Sequence, residues 1–326
     1  MKRMSKSCAT LASLLVLAIV TAPATAGAND TPAIAASTVY RLNNAATYTE
    51  GCFDLCLCPV FLTENFRGTF RLTPLVSTGT VIDYRVDDVD WYAGDNTRIT
   101  GSGTYQRISG FAGWIHRMQL DLSINGGPLT TFDSGLINGG DEFPGIMITL
   151  SLGSQCYDIR LNVDASPVPF NQIIRERLVR RSTYQEGCLP PCLCPIFIEQ
   201  PLTGTFSLVK IADDSHTTEY AVLDVRWDVL SIYTPPSTSF RGSGRYTRIA
   251  GFAGFLHQLE LDLSVDGAAP VAFDSGLVNE RRPFPAIDIT VAQNDFFCYD
   301  IVLDIKARPG PTLSPAPWAS LSALDR

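Results

Sequence analysis

The sequence predicts an all-β protein made of two tandem homologous domains. Each is an antiparallel β-sandwich or meander barrel held by disulfides within the domain. Three observations carry this reading. Apolar residues alternate with polar ones at period two, Asn-Gly and Asp-Gly pairs follow such runs directly, and a long internal repeat carries four cysteines in each copy.

The clearest strand places Met118, Leu120, Leu122 and Ile124 on one face and Gln119, Asp121 and Ser123 on the other. Its second copy sets Leu259, Leu261, Leu263 and Val265 against Glu260, Asp262 and Ser264. Period two is what a half-buried strand requires. Asn125-Gly126 and Asp266-Gly267 come next, and both suit a type I′ hairpin turn with positive φ at its two central residues. Ile146, Ile148, Leu150 and Leu152 predict a further strand, and Tyr157, Ile159, Leu161 and Val163 another with Asp158 on the outer face. Leu223, Val225, Trp227 and Val229 share one face of a regular strand. The matching stretch of the first copy changes phase between Val86 and Val89, which predicts a bulge near Asp87-Asp88. Residues 38–42, 68–75, 98–108 and 129–136 complete a set of seven or eight strands per copy. Residues 172–181 offer the only helical alternative, and a strand or short turn is expected there.

The repeat is read directly. Tyr48-Thr-Glu-Gly-Cys-Phe-Asp-Leu-Cys-Leu-Cys-Pro59 returns as Tyr184-Gln-Glu-Gly-Cys-Leu-Pro-Pro-Cys-Leu-Cys-Pro195, 136 positions later. Residues 101–126 return 141 positions later with 16 of 26 identical, where chance gives about two. The drift in offset places an insertion near Ser231 to Ser239. The expected organisation is a signal peptide over 1–26, β domains over 38–166 and 170–307, and an extended proline-rich tail over 308–326. Lys2, Arg3 and Lys6 precede an apolar stretch from Ala9 to Val20, and Ala24-Thr25-Ala26 supplies the cleavage pattern. That stretch is shorter than the roughly 20 residues of a membrane span, so no span is expected after cleavage. The expected location is outside the cytoplasm: secreted, periplasmic or in the cell envelope. Losing three basic groups and no acid takes the formal charge from −8 to −11, which makes the chain a poor candidate for binding nucleic acid, and no such partner is expected.

Eight cysteines remain after export: Cys52, Cys56, Cys58 and Cys156, then Cys188, Cys192, Cys194 and Cys298. An even, matched set in an exported chain predicts disulfides; a four-thiolate zinc site is the rival. Of three pairings, a bond between Cys56 and Cys58 is the least favourable sterically. The other two each make one small ring and one bridge closing about 100 residues, with an upper bound near 4.7 kcal/mol. The expectation taken is Cys52–Cys56 with Cys58–Cys156, and Cys188–Cys192 with Cys194–Cys298.

His116 and His257 occupy the same place in both copies, beside Asp133-Ser134 and Asp274-Ser275. These are the ingredients of a Ser-His-Asp relay, but no Gly-x-Ser-x-Gly elbow accompanies them, and Phe-Asp-Ser-Gly-Leu reads as a turn. Catalytic residues, metal ligands and cofactors are therefore expected to be none. Asp83, Asp87, Asp88 and Asp90 read as a solvated strand face, and Gly101-Ser-Gly103 as a bulge or a close strand approach. Arg175, Arg177, Arg180 and Arg181 read as solubilising or as a contact between copies. Trp91, Trp227, Tyr105 and Tyr246 read as core, or as a carbohydrate platform if exposed.

The Tyr-x-Glu-Gly-Cys-x3-Cys-x-Cys-Pro block, followed by Gly-Thr-Phe and Gly-Ser-Gly-x-Tyr, resembles exported bacterial proteins of unknown function with a duplicated all-β domain. The resemblance covers both copies and implies export and repetition, with no activity or site residue attached. The expected function is a secreted, non-catalytic structural or ligand-binding module whose partner is an extracellular ligand or envelope component. The alternatives are a hydrolase using His116 and His257, and a carrier of a small apolar ligand. The carrier needs an open interior rather than one filled by Leu120, Leu122, Ile148 and Leu161.

Overall fold

Alternating apolar residues separated by turns leave this chain little choice but antiparallel sheet. The computed structural model describes residues 37–53, 61–154, 156–189, 191–192, 197–230 and 238–310. The signal peptide expected over 1–26, the insertion over 231–237, Cys56, Cys58, Cys194 and residues 311–326 lie outside them. The first copy holds β1 (Thr38–Leu42), β2 (Thr47–Cys52), β3 (Phe61–Ser77), β4 (Val81–Ala93), β5 (Thr97–Gly110), β6 (Gly113–Ile124), β7 (Thr130–Asp133), β8 (Ile137–Asn138), β9 (Ile146–Ser151) and β10 (Tyr157–Pro167). The second holds β11 (Ile173–Leu178), β12 (Thr183–Cys188), β13 (Phe197–Asp213), β14 (Thr217–Val229), β15 (Ser239–Gly251), β16 (Gly254–Val265), β17 (Val271–Asp274), β18 (Val278–Asn279), β19 (Ile287–Ala292) and β20 (Tyr299–Pro309). A 3-10 turn at Phe170–Gln172 joins them, so residues 172–181 are turn and strand.

Each copy is one ten-stranded antiparallel sheet. Strands β2 to β7 pair in sequence, β7 meets β9, β9 pairs with β10, and β10 returns to β2. The path closes, so the meander barrel is the form adopted. The second copy closes the same way through β19, β20 and β12. Closure removes the sheet edges that would otherwise template aggregation. The sheets run from Thr38 to Pro167 and from Ile173 to Pro309, slightly beyond the expected boundaries. Pro309 pairs with Glu176 at the strand's end, where a missing N–H costs least, so the extended tail cannot begin at 308 as expected.

The turns at Asn125 and Asp266 have φ of 51° and 52°, followed by glycines at 72° and 79°, the geometry that the sequence demanded. The bulge lies where the phase changes: Asp88 has φ 52° and the β4–β5 register slips between Val86 and Val89. The second copy departs from its expected regular alternation. Asp224 has φ 53°, the register slips between Val222 and Val225, and Leu223 is turned to the outer face. Opposite both bulges β5 and β15 carry the paired glycines. A Cβ at Gly103 would lie 2.1 Å from the Gln119 carbonyl oxygen, and one at Gly244 2.0 Å from that of Glu260. Close strand approach is the reason for Gly-Ser-Gly in both copies.

One phase expectation reverses. Tyr157 is exposed and Asp158 is buried, as are Tyr299 and Asp300 in turn. Asp158 accepts hydrogen bonds from the Ser151 hydroxyl and Leu152 N–H, and Asp300 accepts from the N–H groups of Gln293, Asn294 and Phe296. These carboxylates satisfy the β9–β10 and β19–β20 turns from within. Tyr157 then points outward and donates to Glu50, which also accepts from Tyr48 (2.6 Å). Tyr184 and Tyr299 hold Glu186 in the same way. The recurrent Tyr-x-Glu is thus a carboxylate clamped between two phenols.

Each barrel has a dense core. Trp91 and Trp227 are fully buried, as are Leu120, Leu122, Leu150 and Leu161 in the first copy. Trp91 meets Phe66 edge to face at 5.1 Å. Both barrels belong to one compact unit. Tyr92, Val168, Val209, Ile211, Ala221 and Leu223 form an apolar cluster between them. Around it Arg67 binds Glu219, Arg71 bridges Asp88 and Asp224, and Arg98 bridges Asp90 and Asp262. Arg71 faces the bulge of β4 while Arg67 lies opposite Tyr92, so movement along β4 from 88 to 92 matches movement along β14 from 224 to 219. The barrels lie side by side with these strands antiparallel.

Candidate functional site

The disulfide chemistry differs from its expected pairing. Cys298 is bonded to Cys192, with Cα atoms 4.9 Å apart, and not to Cys194. The cause is local. Cys188 sits opposite Tyr299, Leu189 N–H donates to the Cys298 carbonyl, and Cys192 N–H donates back to Leu189, so the turn returns Cys192 over Cys298. Cys188, Cys52 and Cys156 are also disulfide-bonded. Phe53 N–H donates to the Cys156 carbonyl as Leu189 does to Cys298, so both copies begin the same hook.

The repeated histidines are buried, with His116 at 2% and His257 at 1% exposure. Nδ1 of His116 lies 3.1 Å from the Tyr105 hydroxyl, and Nδ1 of His257 lies 3.0 Å from that of Tyr246. Nε2 has no partner in either copy. Burial, reinforced by Arg107, lowers the His116 pKa; burial is also the largest cause for His257. The supposed relay partners are engaged elsewhere. Ser134 accepts from Met118 N–H and donates to the Gly135 carbonyl, while Asp133 holds Arg117. Ser275 does the same with Leu259 and Gly276, and Asp274 accepts from Gln258. These are turns, and no relay is assembled.

A cluster at one end of each barrel was missed as a unit. In the first copy Tyr84, Tyr105, His116 and Arg107 gather under Phe143, which lies 5.4 Å from Tyr84 and 6.4 Å from Tyr105 by ring centroids. Arg107, 4% exposed, is sandwiched between Trp114 (4.4 Å) and Phe143 (4.3 Å). The second copy repeats it with Tyr220, Tyr246, His257, Arg248 and Phe284. The signal was available in the recurrence of Tyr105-Gln-Arg107 as Tyr246-Thr-Arg248, and of Phe143-Pro144 as Phe284-Pro285.

Beside the first cluster lies a cavity of about 530 Å³, almost wholly apolar. Tyr40, Leu72, Pro74, Tyr84, Phe143 and Pro144 line it with Thr38, and residues 167–171 of the connection between copies complete the wall. The volume is that of a small-molecule site. The acidic stretch behaves differently from its expected solvated face. Asp88 and Asp90 are taken up by Arg71 and Arg98 at the contact between barrels, and Asp90 is buried. Arg175 and Arg177 are exposed, and Arg175 lies over Phe170. Among the described residues no group of three or more His, Cys, Asp or Glu side chains is arranged to hold a metal ion, and no helix is long and apolar enough to cross a membrane.

These features define a tandem pair of closed meander barrels, each with an internal Tyr-His-Arg cluster at one end. No family model matches the chain, and no curated protein or solved structure matches it.

Proposed function

We propose that this chain is an exported, non-catalytic binding module that holds a small apolar ligand at the end of the first barrel. The observation that carries the reading is the cavity: about 530 Å³, walled by Leu72, Phe143 and four prolines, beside a closely filled core. The space opens to solvent on one side and is lined almost wholly by apolar side chains, which suits an apolar guest. Leu120, Leu122, Ile148 and Leu161 fill the barrel interior, so a carrier with an open interior is not the form proposed; the guest sits in the cleft between the end of the first barrel and residues 167–171. The hydrolase reading loses its support, because Ser134 and Asp133 serve a turn and His116 is sealed against Tyr105.

The test uses the neutral probe N-phenyl-1-naphthylamine. Saturable fluorescence enhancement is expected at one site per chain. It is lost in a Thr38→Trp variant, whose indole fills the cavity while suiting a strand. Enhancement that survives unchanged in that variant, with its melting temperature intact, would remove the cavity from the account.

A further inference from the structure

We propose that the ligand of the first barrel is an amphipathic carboxylic acid, its apolar body in the cavity and its carboxylate on Arg107. The proposal rests on the cavity being a binding site. It adds the chemistry of the head group.

The second copy displays the arrangement that the first lacks. Arg248 lies over Phe255 (4.3 Å) and Phe284 (4.8 Å), and its Nε and Nη2 donate to the Glu280 carboxylate at 3.1 and 3.0 Å. Gly139 holds the place of Glu280. Its N–H donates to the Trp114 carbonyl as that of Glu280 donates to Phe255. A Cβ at Gly139 would fall 2.7 Å from His116 Nε2, so no side chain fits there to supply an acid. Arg107 keeps the two aromatic faces and one bond, from Nη2 to the Gly140 carbonyl at 2.9 Å, and its Nε has no partner. Asp141, an acid of that loop, accepts instead from Trp114 N–H.

A buried guanidinium with an unfilled donor bears an uncompensated desolvation cost, and a carboxylate is the group whose geometry matches its fork. The first barrel thus presents the basic half of an ion pair whose acidic half, in the second barrel, belongs to the chain. Phe143 is shared: it stacks on Arg107 and walls the cavity, which Arg107 itself does not line, so an acidic end reaches the guanidinium past the edge of the Phe143 ring while the tail stays in the cavity. Trp114 is half-buried and stacked on the guanidinium, so a head group bound to Arg107 changes the surroundings of its indole.

The experiment titrates dodecanoic acid and dodecan-1-ol, each below micelle formation, into the full chain, with calorimetry and tryptophan fluorescence as readouts. The acid is expected to bind at least tenfold more tightly than the alcohol and to change the fluorescence, with both effects absent in Trp114→Phe for the fluorescence and in Arg107→Gln for the tenfold preference. Equal binding of acid and alcohol overturns the head-group assignment and leaves the cavity reading intact. Binding of neither overturns both. Should Arg107→Gln not fold, the acid-to-alcohol ratio in the unaltered chain decides, and acid binding that persists in Thr38→Trp also overturns the proposal.

Discussion

Glu176 stands where the repeat of the first copy has Tyr40, since Tyr40 pairs with Phe70 and Glu176 with Phe206 at equivalent points of register. The tyrosine is a wall of the cavity; the glutamate is 1% exposed and neither of its oxygens has a partner. Burial alone pushes its pKa to about 8, far above the ordinary 4.5, so the carboxyl is held protonated in the fold at neutral pH. The folded chain therefore keeps a proton that the unfolded chain has released between these two values. Stability falls as pH rises through that window, by up to about 1.4 kcal/mol per pH unit from this group. Glu176→Gln is expected to flatten the decline in melting temperature between pH 5 and pH 8. A decline that is just as steep in the variant assigns the effect to another group. The sequence shows a glutamate among arginines in this strand, and charge alone reads as a solvated face. Only the register reveals that residue 176 faces inward while Arg175 and Arg177 face out.

At the scale of elements, strand identity was legible and strand phase was not always so. The alternation at Met118 to Ile124 and the turns after it follow from local chemistry, and the structure reproduces both. The phase failed at Asp158, where a buried carboxylate serves a turn, and at Leu223, where a bulge moves a leucine to the contact between copies. Both failures come from tertiary partners that no window of residues contains. The disulfide pairing failed for a similar reason: two cysteines separated by one residue differ only in how the chain turns after β12. Gly103 tests the element directly. Gly103→Val sets a side chain against the Gln119 carbonyl and is expected to destabilise the chain by about 3 kcal/mol or more, measured by denaturant unfolding. A loss under 1 kcal/mol would show that β5 and β6 can separate there at little cost.

For the whole molecule, the contact between barrels is where duplication ceased to mean repetition. Arg67 and Glu219 have side chains only 13% and 10% exposed, and two nitrogen–oxygen bonds join them. Removing Arg67 takes both of these bonds from the Glu219 carboxylate, whereas Arg67 without Glu219 keeps Asp95 and the Gly94 carbonyl. A double-mutant cycle with Arg67→Ala and Glu219→Ala is expected to show a coupling energy of about 1–3 kcal/mol in global unfolding. Additive losses would mean that this pair does not help to hold the barrels, leaving the contact to the apolar cluster and to Arg71 and Arg98. None of these pairings was legible beforehand. Residues 67 and 219 do not correspond in the repeat, so aligning the copies with each other says nothing about how they meet.

The opposed run of β4 and β14 also limits how the duplicated ends can be used. Phe143 crowns one barrel at the Tyr84 end of β4, and Phe284 crowns the other at the Tyr220 end of β14. Those two ends face contrary poles of the molecule. The apolar cavity lies at the Phe143 end, so a guest held there meets one pole of the chain, while at the other pole Glu280 already occupies the matching arginine.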